Sequence, residues 1–323
     1  MKLLLVVAAA LAVASCANDS MVDPEFQAWK LKFERSYSSP SEEAERMQIW
    51  LRKREAVLEH NAMADQGNAS YRLGMTKFAD MKPEEFSSGF LNASGPRPHF
   101  VSKLLQHLPE SMDWRAHGLV TPVKDEKKCG CSWAFSATGS LEGQHFKKTQ
   151  NLVNLSEQQL VDCSEKYGSS GCNGGSVEVA FDYIIDNGGI EIKDTYKYVA
   201  EKQTCSSHPD KSIATCTDYQ HVKQNDEHAL KKAVANIGPI SVGIDGSLDS
   251  FRNYVSGVYD ESSCSTFANH YALIVGYGNE NGKDYWLVKN SWGKAWGEEG
   301  YIKMKRNSNN QCGIASAAIY PVV

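Results

Sequence analysis

The sequence predicts an α+β fold, because helix signals dominate its first half and strand signals dominate its second half. Capping residues in the first half precede apolar residues at the three-four spacing of helices packed on one face. Runs typical of buried strands occupy residues 240–244 and 271–275. A chain of 323 residues can also bury a large core and hold more than one domain.

The first 17 residues are typical of a cleaved secretory signal. Lys2 precedes an apolar run over residues 3–13, and small residues continue to Ala17. This pattern predicts a signal peptide over residues 1–17 and directs the protein into the secretory pathway. A bacterial lipoprotein box at residues 13–16 is an alternative interpretation of the same stretch.

Two helix-start signals follow the predicted signal peptide. An Asp-Pro pair at residues 23–24 combines a capping residue with a proline suited to the first turn. Residues 39–42 form a capping box for a second helix, which we expect to end near residue 64. Residues 91–107 contain Gly-Pro and a further proline, and this composition predicts a linker suited to proteolytic cleavage.

Residues 124–143 run from a polar, glycine-containing turn into a helix rich in small and apolar residues. Cys131 and Ser132 stand where that helix begins. A helix N-terminus carries partial positive charge and unpaired backbone N–H groups. It therefore stabilises a thiolate and can hold an oxyanion, so this stretch predicts a site of nucleophilic chemistry.

The elements after this helix change from helical to extended. A second capping box at residues 156–159 predicts one more helix, and residues 172–175, Cys-Asn-Gly-Gly, predict a tight turn. Farther along, Asn-Gly at residues 281–282 predicts a hairpin that leads into a strand over residues 285–288.

Residues 129–133, Cys-Gly-Cys-Ser-Trp, resemble the nucleophile loop of papain-like cysteine proteases of the cathepsin L type. Residues 74–80 and 108–115 resemble the second pro-region motif of cathepsin L-like zymogens and the start of a mature cathepsin. The first pro-region motif is matched, with Lys53 in place of its asparagine, by Glu42, Arg46, Trp50, Val57 and Asn61.

The resemblance implies a papain-like two-lobe fold, with a helical lobe and a β-barrel-like lobe, preceded by a helical inhibitory pro-domain. It divides the chain into the signal peptide 1–17, the pro-domain 18–107 and the peptidase domain 108–323. The implied protein is lysosomal or extracellular. Its partners would be protein or peptide substrates in the cleft and its own pro-segment, and no cofactor or metal is expected.

The resemblance also assigns roles outside the nucleophile loop. His270 matches the catalytic histidine, Asn290 the residue that orients it, and Trp292 part of the aromatic shield around that asparagine. Gly174 and Gly175 match a turn that lies along the cleft and pairs with the substrate backbone. From the residues alone, a turn that is merely stapled by a disulfide is an equally good interpretation.

Eight cysteines remain after removal of the signal, and in a secreted chain they predict disulfides, although spacing does not give the pairing. Cys131 and Cys216 have no partner by the resemblance, and a bridge between these two stays open. The three pairs that the resemblance implies are Cys129 with Cys172, Cys163 with Cys205, and Cys264 with Cys312.

Three departures from the family pattern fall in the implied active site. Ser132 stands at the nucleophile position, and a serine hydroxyl needs full general-base help that a thiolate does not. Cys131 stands one place early, and one helical residue means about 100° of rotation away from the cleft. Glu126 replaces a glutamine that donates to the oxyanion, and an ionised carboxylate cannot donate. Tyr271 follows the histidine, where it could fill the specificity pocket or re-aim His270.

These departures predict a cathepsin L-like homologue whose proteolysis is lost or strongly impaired. One alternative is an active acid-pH endopeptidase of protein catabolism that uses Cys131 or Ser132. Another is a binding protein, whose pro-segment inhibits active relatives or whose cleft holds peptides. The net charge of −5 gives no reason to expect nucleic acid, and no run after the signal approaches the roughly 20 apolar residues of a membrane span.

Overall fold

The computed structural model describes residues 23–85 and 107–323. The predicted signal peptide and residues 91–106 of the predicted linker lie outside the described residues. Within the described part of the chain, no helix is both long enough and apolar enough to cross a membrane.

The helices of the described residues concentrate before residue 190. The α-helices are α1 (Pro24–Lys32), α2 (Pro40–Asp65), α3 (Ser132–Thr149), α4 (Glu157–Cys163), α5 (Val177–Asp186), α6 (Glu227–Asn236) and α7 (Asp249–Arg252). Single 3₁₀ turns occupy Pro83–Glu85, Glu165–Tyr167, Gly171–Asn173, Pro209–Lys211 and Gln311–Gly313.

The strands concentrate after residue 215. They are β1 (Tyr71–Leu73), β2 (Met112–Asp113), β3 (Asp218–His221), β4 (Ile240–Ile244), β5 (Tyr254–Tyr259), β6 (His270–Glu280), β7 (Lys283–Lys289), β8 (Tyr301–Lys305) and β9 (Ala318–Val322). They form one sheet in the order β1-β5-β8-β7-β6-β4-β9-β3, and β2 pairs with β6. All neighbours are antiparallel except β5 and β8.

The local signals for the first two helices are confirmed. The Asp23 carboxylate accepts hydrogen bonds from the N–H groups of Glu25 and Phe26 at 2.8 and 3.0 Å, which caps α1. Ser39 caps α2 by accepting from the N–H of Glu42 at 3.2 Å. The return bond of the predicted capping box is shifted by one residue, because the Glu42 carboxylate accepts from the Ser38 N–H at 2.9 Å.

Two large cores and one small cluster around Leu273, Val275 and Leu287 fill the chain after residue 107. One packs α3, α4 and α5 against each other, and the other fills the space between α6 and the sheet. Helix α3 connects the helical core to the sheet, because Ser136 Oγ donates to the backbone oxygen of Ala272 in β6 at 2.6 Å. Gly139 lets the helix approach closely, since a Cβ there would lie 2.7 Å from the Leu273 side chain. This contact fixes the start of α3 against the start of β6.

The segment before residue 86 is bound to the sheet by a strand. β1 pairs antiparallel with β5, so the sheet of the body continues into this segment. Its helices α1 and α2 pack through a small aromatic cluster, in which Phe26, Trp29 and Trp50 are buried. The Trp29 indole N–H donates to the backbone oxygen of Thr76 at 3.0 Å, and this bond ties the helices to the extended residues after β1.

Candidate active site

Ser132 is the first residue of α3, and its side chain is held by the neighbouring strand. Its Oγ accepts a hydrogen bond from the Tyr271 N–H at 3.1 Å, and the residue is 3% exposed. The N–H groups of a first helical turn have no intrahelical partner, so donors face this position. Ser132 therefore lies among backbone donors at the start of α3.

His270 and Asn290 lie together because they flank one antiparallel hairpin. His270 opens β6, and Asn290 follows directly after the end of β7, which pairs with β6. His270 Nε2 lies 2.8 Å from Asn290 Oδ1, and that oxygen also accepts from the Ser291 N–H. Since Oδ1 can only accept, Nε2 carries the hydrogen and Nδ1 keeps its lone pair.

His270 is buried and uncharged over most of the pH range. Burial lowers its pKa to about 4, although the hydrogen bond with Asn290 opposes that shift. The Trp292 ring covers it with ring centroids 4.8 Å apart. Among the described residues, no hydrogen bond joins the histidine to Ser132, whose hydroxyl is instead bonded to the Tyr271 N–H. The ion pair of a thiol protease is thus absent from this arrangement.

Cys131 points away from Ser132 and into the helical lobe. It is 0% exposed, and its Sγ lies 3.1 Å from the hydroxyl oxygen of Tyr198. Tyr198 donates its only hydroxyl hydrogen to the backbone oxygen of Glu126 at 2.7 Å, so the thiol must be the donor to Tyr198. Burial raises the pKa of the Cys131 thiol well above its usual value. The thiol is held protonated and away from the cleft.

We expect Cys131 to resist alkylation in the folded chain. Both the thiolate and access are needed for reaction with iodoacetamide, and this buried thiol lacks both. Peptide mass spectrometry after treatment at pH 7 should find position 131 unmodified in the native protein and modified in urea. As the positive control, a processed Ser132→Cys variant should be labelled at position 132. Native labelling of Cys131 would show that the loop opens and exposes it.

Glu126 is held between the loop that precedes α3 and the loop that follows β7. Its N–H donates to the Ser291 oxygen at 2.8 Å, and its Oε1 accepts from the Trp292 indole N–H at 2.6 Å. The side chain is buried, with the residue 6% exposed, and Oε2 has no hydrogen-bond partner among the described residues. Burial raises the pKa of Glu126 to about 8, against the Trp292 bond and the nearby Lys77. The repulsion expected from an ionised Glu126 therefore applies only above about pH 8.

The raised pKa of Glu126 predicts a loss of stability as pH rises. The unfolded chain releases this proton near pH 4.5, whereas the folded chain keeps it to about pH 8, so stability falls between those values. His270 opposes this trend only below pH 6.5, its ordinary pKa. Between pH 6.5 and 8 we expect a fall of roughly 1–2 kcal/mol in the free energy of unfolding.

Urea unfolding of the full chain at several pH values measures this slope. The matched control is Glu126→Gln, which has the same shape and no titration, and its stability should vary less over that window. If wild type and Glu126→Gln have the same pH slope, Glu126 is already ionised in the folded protein and the prediction is wrong.

Tyr271 is buried in the helical lobe rather than directed at the cleft. It is 1% exposed, belongs to the core that contains Val177, and its phenol has a pKa raised well above its usual value by burial. The Asn290 contact of His270 is retained beside it. The large side chain therefore occupies volume in the helical lobe, while the backbone N–H of Tyr271 donates to Ser132 Oγ.

The Cys172–Gly175 turn is fastened to the nucleophile loop. A disulfide joins Cys129 to Cys172, and the Gly130 N–H donates to the Cys172 oxygen at 2.9 Å. Gly175 lies against the Trp133 ring, where a Cβ would come within 2.5 Å of the indole. Gly174 adopts a φ of 128°, which favours glycine. The other disulfides are Cys163–Cys205 and Cys264–Cys312, and Cys131 and Cys216 are free and buried.

The segment before residue 86 covers this site. A cavity of about 540 Å³ is lined on one side by Lys77, Phe78 and neighbours, and on the other by Glu126, Ser132, His270 and Trp292. Lys77 Nζ lies 3.0 Å from Asp125 Oδ1, and the Phe78 ring meets the Trp292 ring at 4.7 Å. The described residues contain no group of three or more His, Cys, Asp or Glu side chains that could hold a metal ion.

Sequence reasoning missed Tyr198 and the Lys77–Asp125 pair. Tyr198 belongs to no motif, and it meets Cys131 from 67 residues away in the chain. Lys53 was marked only by its departure from the pro-region motif, and in the structure it pairs with Asp249 at 2.9 Å. The lysine at position 53 was the signal in the sequence that the segment before residue 86 contacts the body partly through charge.

The fold and the site define a two-lobed protein of the cysteine protease class with a covering pro-segment. Residues 108–322 match the papain family cysteine protease, and residues 26–86 match the cathepsin propeptide inhibitor domain. The chain therefore belongs to the papain family, as a cathepsin L-like zymogen.

Named relatives agree with this assignment. A cathepsin L-like peptidase of Aedes aegypti is 46% identical over 339 residues, with 100% of both chains covered. A digestive cysteine proteinase 1 of Homarus americanus is 49% identical over 306 residues, which cover 93% of this chain and 95% of the relative. The structure of digestive procathepsin L 3 from the larval midgut of Tenebrio molitor superposes with a TM-score of 0.87 at 41% identity, covering 93% and 98% of the two chains.

Proposed function

We propose that this chain is a cathepsin L-like zymogen homologue that has lost ordinary peptide hydrolysis and keeps a cleft able to bind peptides. The observation that carries the proposal is the arrangement at the start of α3. There the Cys131 thiol is turned into the protein and protonated, while the Ser132 hydroxyl oxygen accepts from a backbone N–H. Among the described residues His270 makes no hydrogen bond to that hydroxyl, so the hydroxyl is not activated as a nucleophile in this arrangement.

The proposal includes the division and the roles that the sequence suggested. Residues 1–17 would be the signal peptide, 18–107 the pro-domain and 108–323 the peptidase-like domain, in a lysosomal or extracellular protein. Ser132, His270 and Asn290 would stand at the catalytic positions and Glu126 at the oxyanion position. Trp292, Gly174 and Gly175 would shape the cleft, whereas Tyr271 packs in the helical lobe.

The test is hydrolysis of fluorogenic peptides at acid pH by the processed protein, compared with an active cathepsin L at equal concentration. We expect a rate lower by several orders of magnitude, because loss of the nucleophile in a protease costs on the order of a million-fold. Rates ordinary for the family would overturn the proposal. In that case, trapping an acyl group on Cys131 or Ser132 would identify the residue that an active acid-pH endopeptidase uses.

A second candidate function is inhibition of active relatives by the pro-segment. It is favoured by the inhibitor-domain match and by the contacts of β1, Lys77 and Phe78 with the body. The isolated segment 18–107 should inhibit an active cathepsin L, and a Phe78→Ala version should inhibit it less because it lacks the ring contact. A segment that leaves the enzyme fully active in large excess would end this candidate.

A further inference from the structure

The loop between α3 and α4 contains an acceptor sequence for an N-linked glycan. Residues 154–156 read Asn-Leu-Ser, which is the Asn-x-Ser/Thr pattern with a residue other than proline in the middle. It is the one such sequence after residue 107, since the others begin at Asn18, Asn68 and Asn92. A glycan at Asn154 would therefore stay on the body of the protein after removal of the pro-segment.

The side chain of Asn154 is open to solvent. The residue is exposed, and its side-chain amide has no hydrogen-bond partner among the described residues. Its backbone oxygen accepts from the Lys193 N–H at 2.8 Å, so the main chain is held in place at this point. A sugar attached to the amide nitrogen would extend into water without displacing a bond of the folded chain.

The hydroxyl of Ser156, which completes the acceptor sequence, is enclosed by the fold. The residue is 1% exposed. Its Oγ caps α4 by accepting from the Gln159 N–H at 3.1 Å, and it donates to the backbone oxygen of Tyr196 at 2.8 Å. The transferase must reach both the asparagine and this hydroxyl, and in the folded protein it reaches only the asparagine.

The middle residue of the acceptor sequence is fixed as firmly. Leu155 is fully buried, and its N–H donates to Glu142 Oε1 at 2.9 Å. The same carboxylate oxygen lies 2.7 Å from Lys124 Nζ, inside a buried ion cluster. Drawing residues 154–156 into an enzyme would break this bond and the helix cap together. The acceptor sequence is therefore accessible only before this lobe has folded.

A glycan at Asn154 would leave the cleft open. The cavity of about 540 Å³ that contains Ser132 and His270 is lined by no residue between 150 and 156, all of which the structure describes. An N-linked glycan is bulky and increases solubility. Its place on this loop would cover part of the helical lobe and leave the approach of peptides to the cleft unchanged.

We propose that Asn154 carries an N-linked glycan that is attached before the helical lobe folds. Asn154 Nδ2 forms a bond to the anomeric carbon of an oligosaccharide that is carried on a lipid diphosphate. The bond between that carbon and the diphosphate oxygen breaks, the lipid diphosphate leaves, and Nδ2 gives one proton to a base of the transferase. This step rests on the proposed function in one respect, because it requires entry into the secretory pathway.

The first test is expression of the full chain in secreting insect cells. Peptides of the secreted protein are treated with peptide N-glycosidase in heavy-oxygen water, which converts a glycosylated asparagine into labelled aspartate. We expect the label at position 154 in wild type and in Ser156→Thr, which keeps the hydroxyl. Intact Asn154→Gln should be lighter than wild type by one glycan. The matched control Asn151→Gln removes an exposed asparagine outside any acceptor sequence, and should keep the label at position 154.

A second measurement tests the order of attachment and folding. Purified oligosaccharyltransferase and its lipid-linked donor are mixed either with a synthetic peptide of residues 150–160 or with the full chain refolded without glycan. Because access in the folded chain requires local unfolding, transfer to Asn154 there should be at least about tenfold slower than transfer to the peptide.

Secreted protein without the label at position 154 overturns the proposal. Equal transfer to the folded chain and to the peptide overturns the order of events that it contains. Failure of the chain to be secreted would refute the predicted signal peptide, and the proposal with it. Peptide hydrolysis by the processed wild type would refute the loss of activity without changing any of these readouts, so the failures are distinguishable.

Discussion

Exchanging the side chains at residues 131 and 132 is expected to create a peptidase. After processing, the Cys131→Ser, Ser132→Cys double variant should show kcat/KM for a fluorogenic peptide at least about 10³-fold above wild type. The thiol would then stand at the first residue of α3, where the helix N-terminus favours a thiolate. The serine at position 131 can keep the bond to Tyr198 that the thiol now makes.

Two single variants show which of the two substitutions produces the activity. Ser132→Cys alone should also gain activity, because Cys131 is buried and takes no part in the cleft. Cys131→Ser alone should stay at the wild-type rate, and its main effect should be on the bond with Tyr198. If Cys131→Ser lowers a measurable wild-type activity, Cys131 carries the chemistry and the geometry described here changes in solution.

The gain should stop short of an active relative. Glu126 replaces an amide donor, and removing one oxyanion donor costs about 10²–10³ in rate. Adding Glu126→Gln to the double variant should therefore raise the rate further above pH 8, where Glu126 ionises, and raise it less in acid. A gain of equal size at all pH values would mean that Glu126 is ionised throughout.

The elements that the sequence predicts well are those set by neighbouring residues. The caps at Asp23 and Ser39 depend on hydrogen bonds across two or three residues, so sequence signals suffice. The apolar run at residues 240–244 becomes β4, fully buried along its length. The predicted strand over residues 271–275 is only part of β6, which extends to Glu280, because pairing with β7 continues beyond the apolar run.

The features that sequence reasoning could not reach are contacts between distant parts of the chain. The pairing of β1 with β5 requires the body to be folded, and three residues of sequence carry no sign of it. The protonation of Glu126 depends on its burial beside Trp292, which lies 166 positions farther along the chain. The motif identified Glu126 as a departure, but only the folded environment shows the burial that raises its pKa to about 8.

The second large effect is expected at a buried ion cluster that joins the loop before α3 to helices α3 and α4. Lys124 Nζ lies 2.7 Å from Glu142 Oε1 in α3 and 2.5 Å from Glu157 Oε1 in α4, and all three residues are buried. Thr121 also donates to Glu142 Oε2 and Thr138 donates to Glu157 Oε1, while Glu157 Oε2 has no hydrogen-bond partner among the described residues. Two carboxylates thus share one lysine in an interior with little water.

Lys124→Met is expected to lower the free energy of unfolding of the full chain by about 3–5 kcal/mol, because it leaves two buried carboxylates without their cation. Thermal unfolding should show a transition lower by roughly 10 °C. The matched control is Lys128→Met, which removes an exposed lysine paired with Glu201 and should change stability by less than about 0.5 kcal/mol.

A triple variant decides whether charge or volume is responsible. Lys124→Met with Glu142→Gln and Glu157→Gln removes both stranded charges while keeping the shapes, and should recover part of the lost stability. The neighbouring Lys289 has its pKa lowered to about 8 by burial, and its ammonium donates to Thr121 Oγ1 at 3.1 Å. If the triple variant is no more stable than Lys124→Met, the loss comes from packing, and the cluster stabilises the lobes by its shape rather than by its charge.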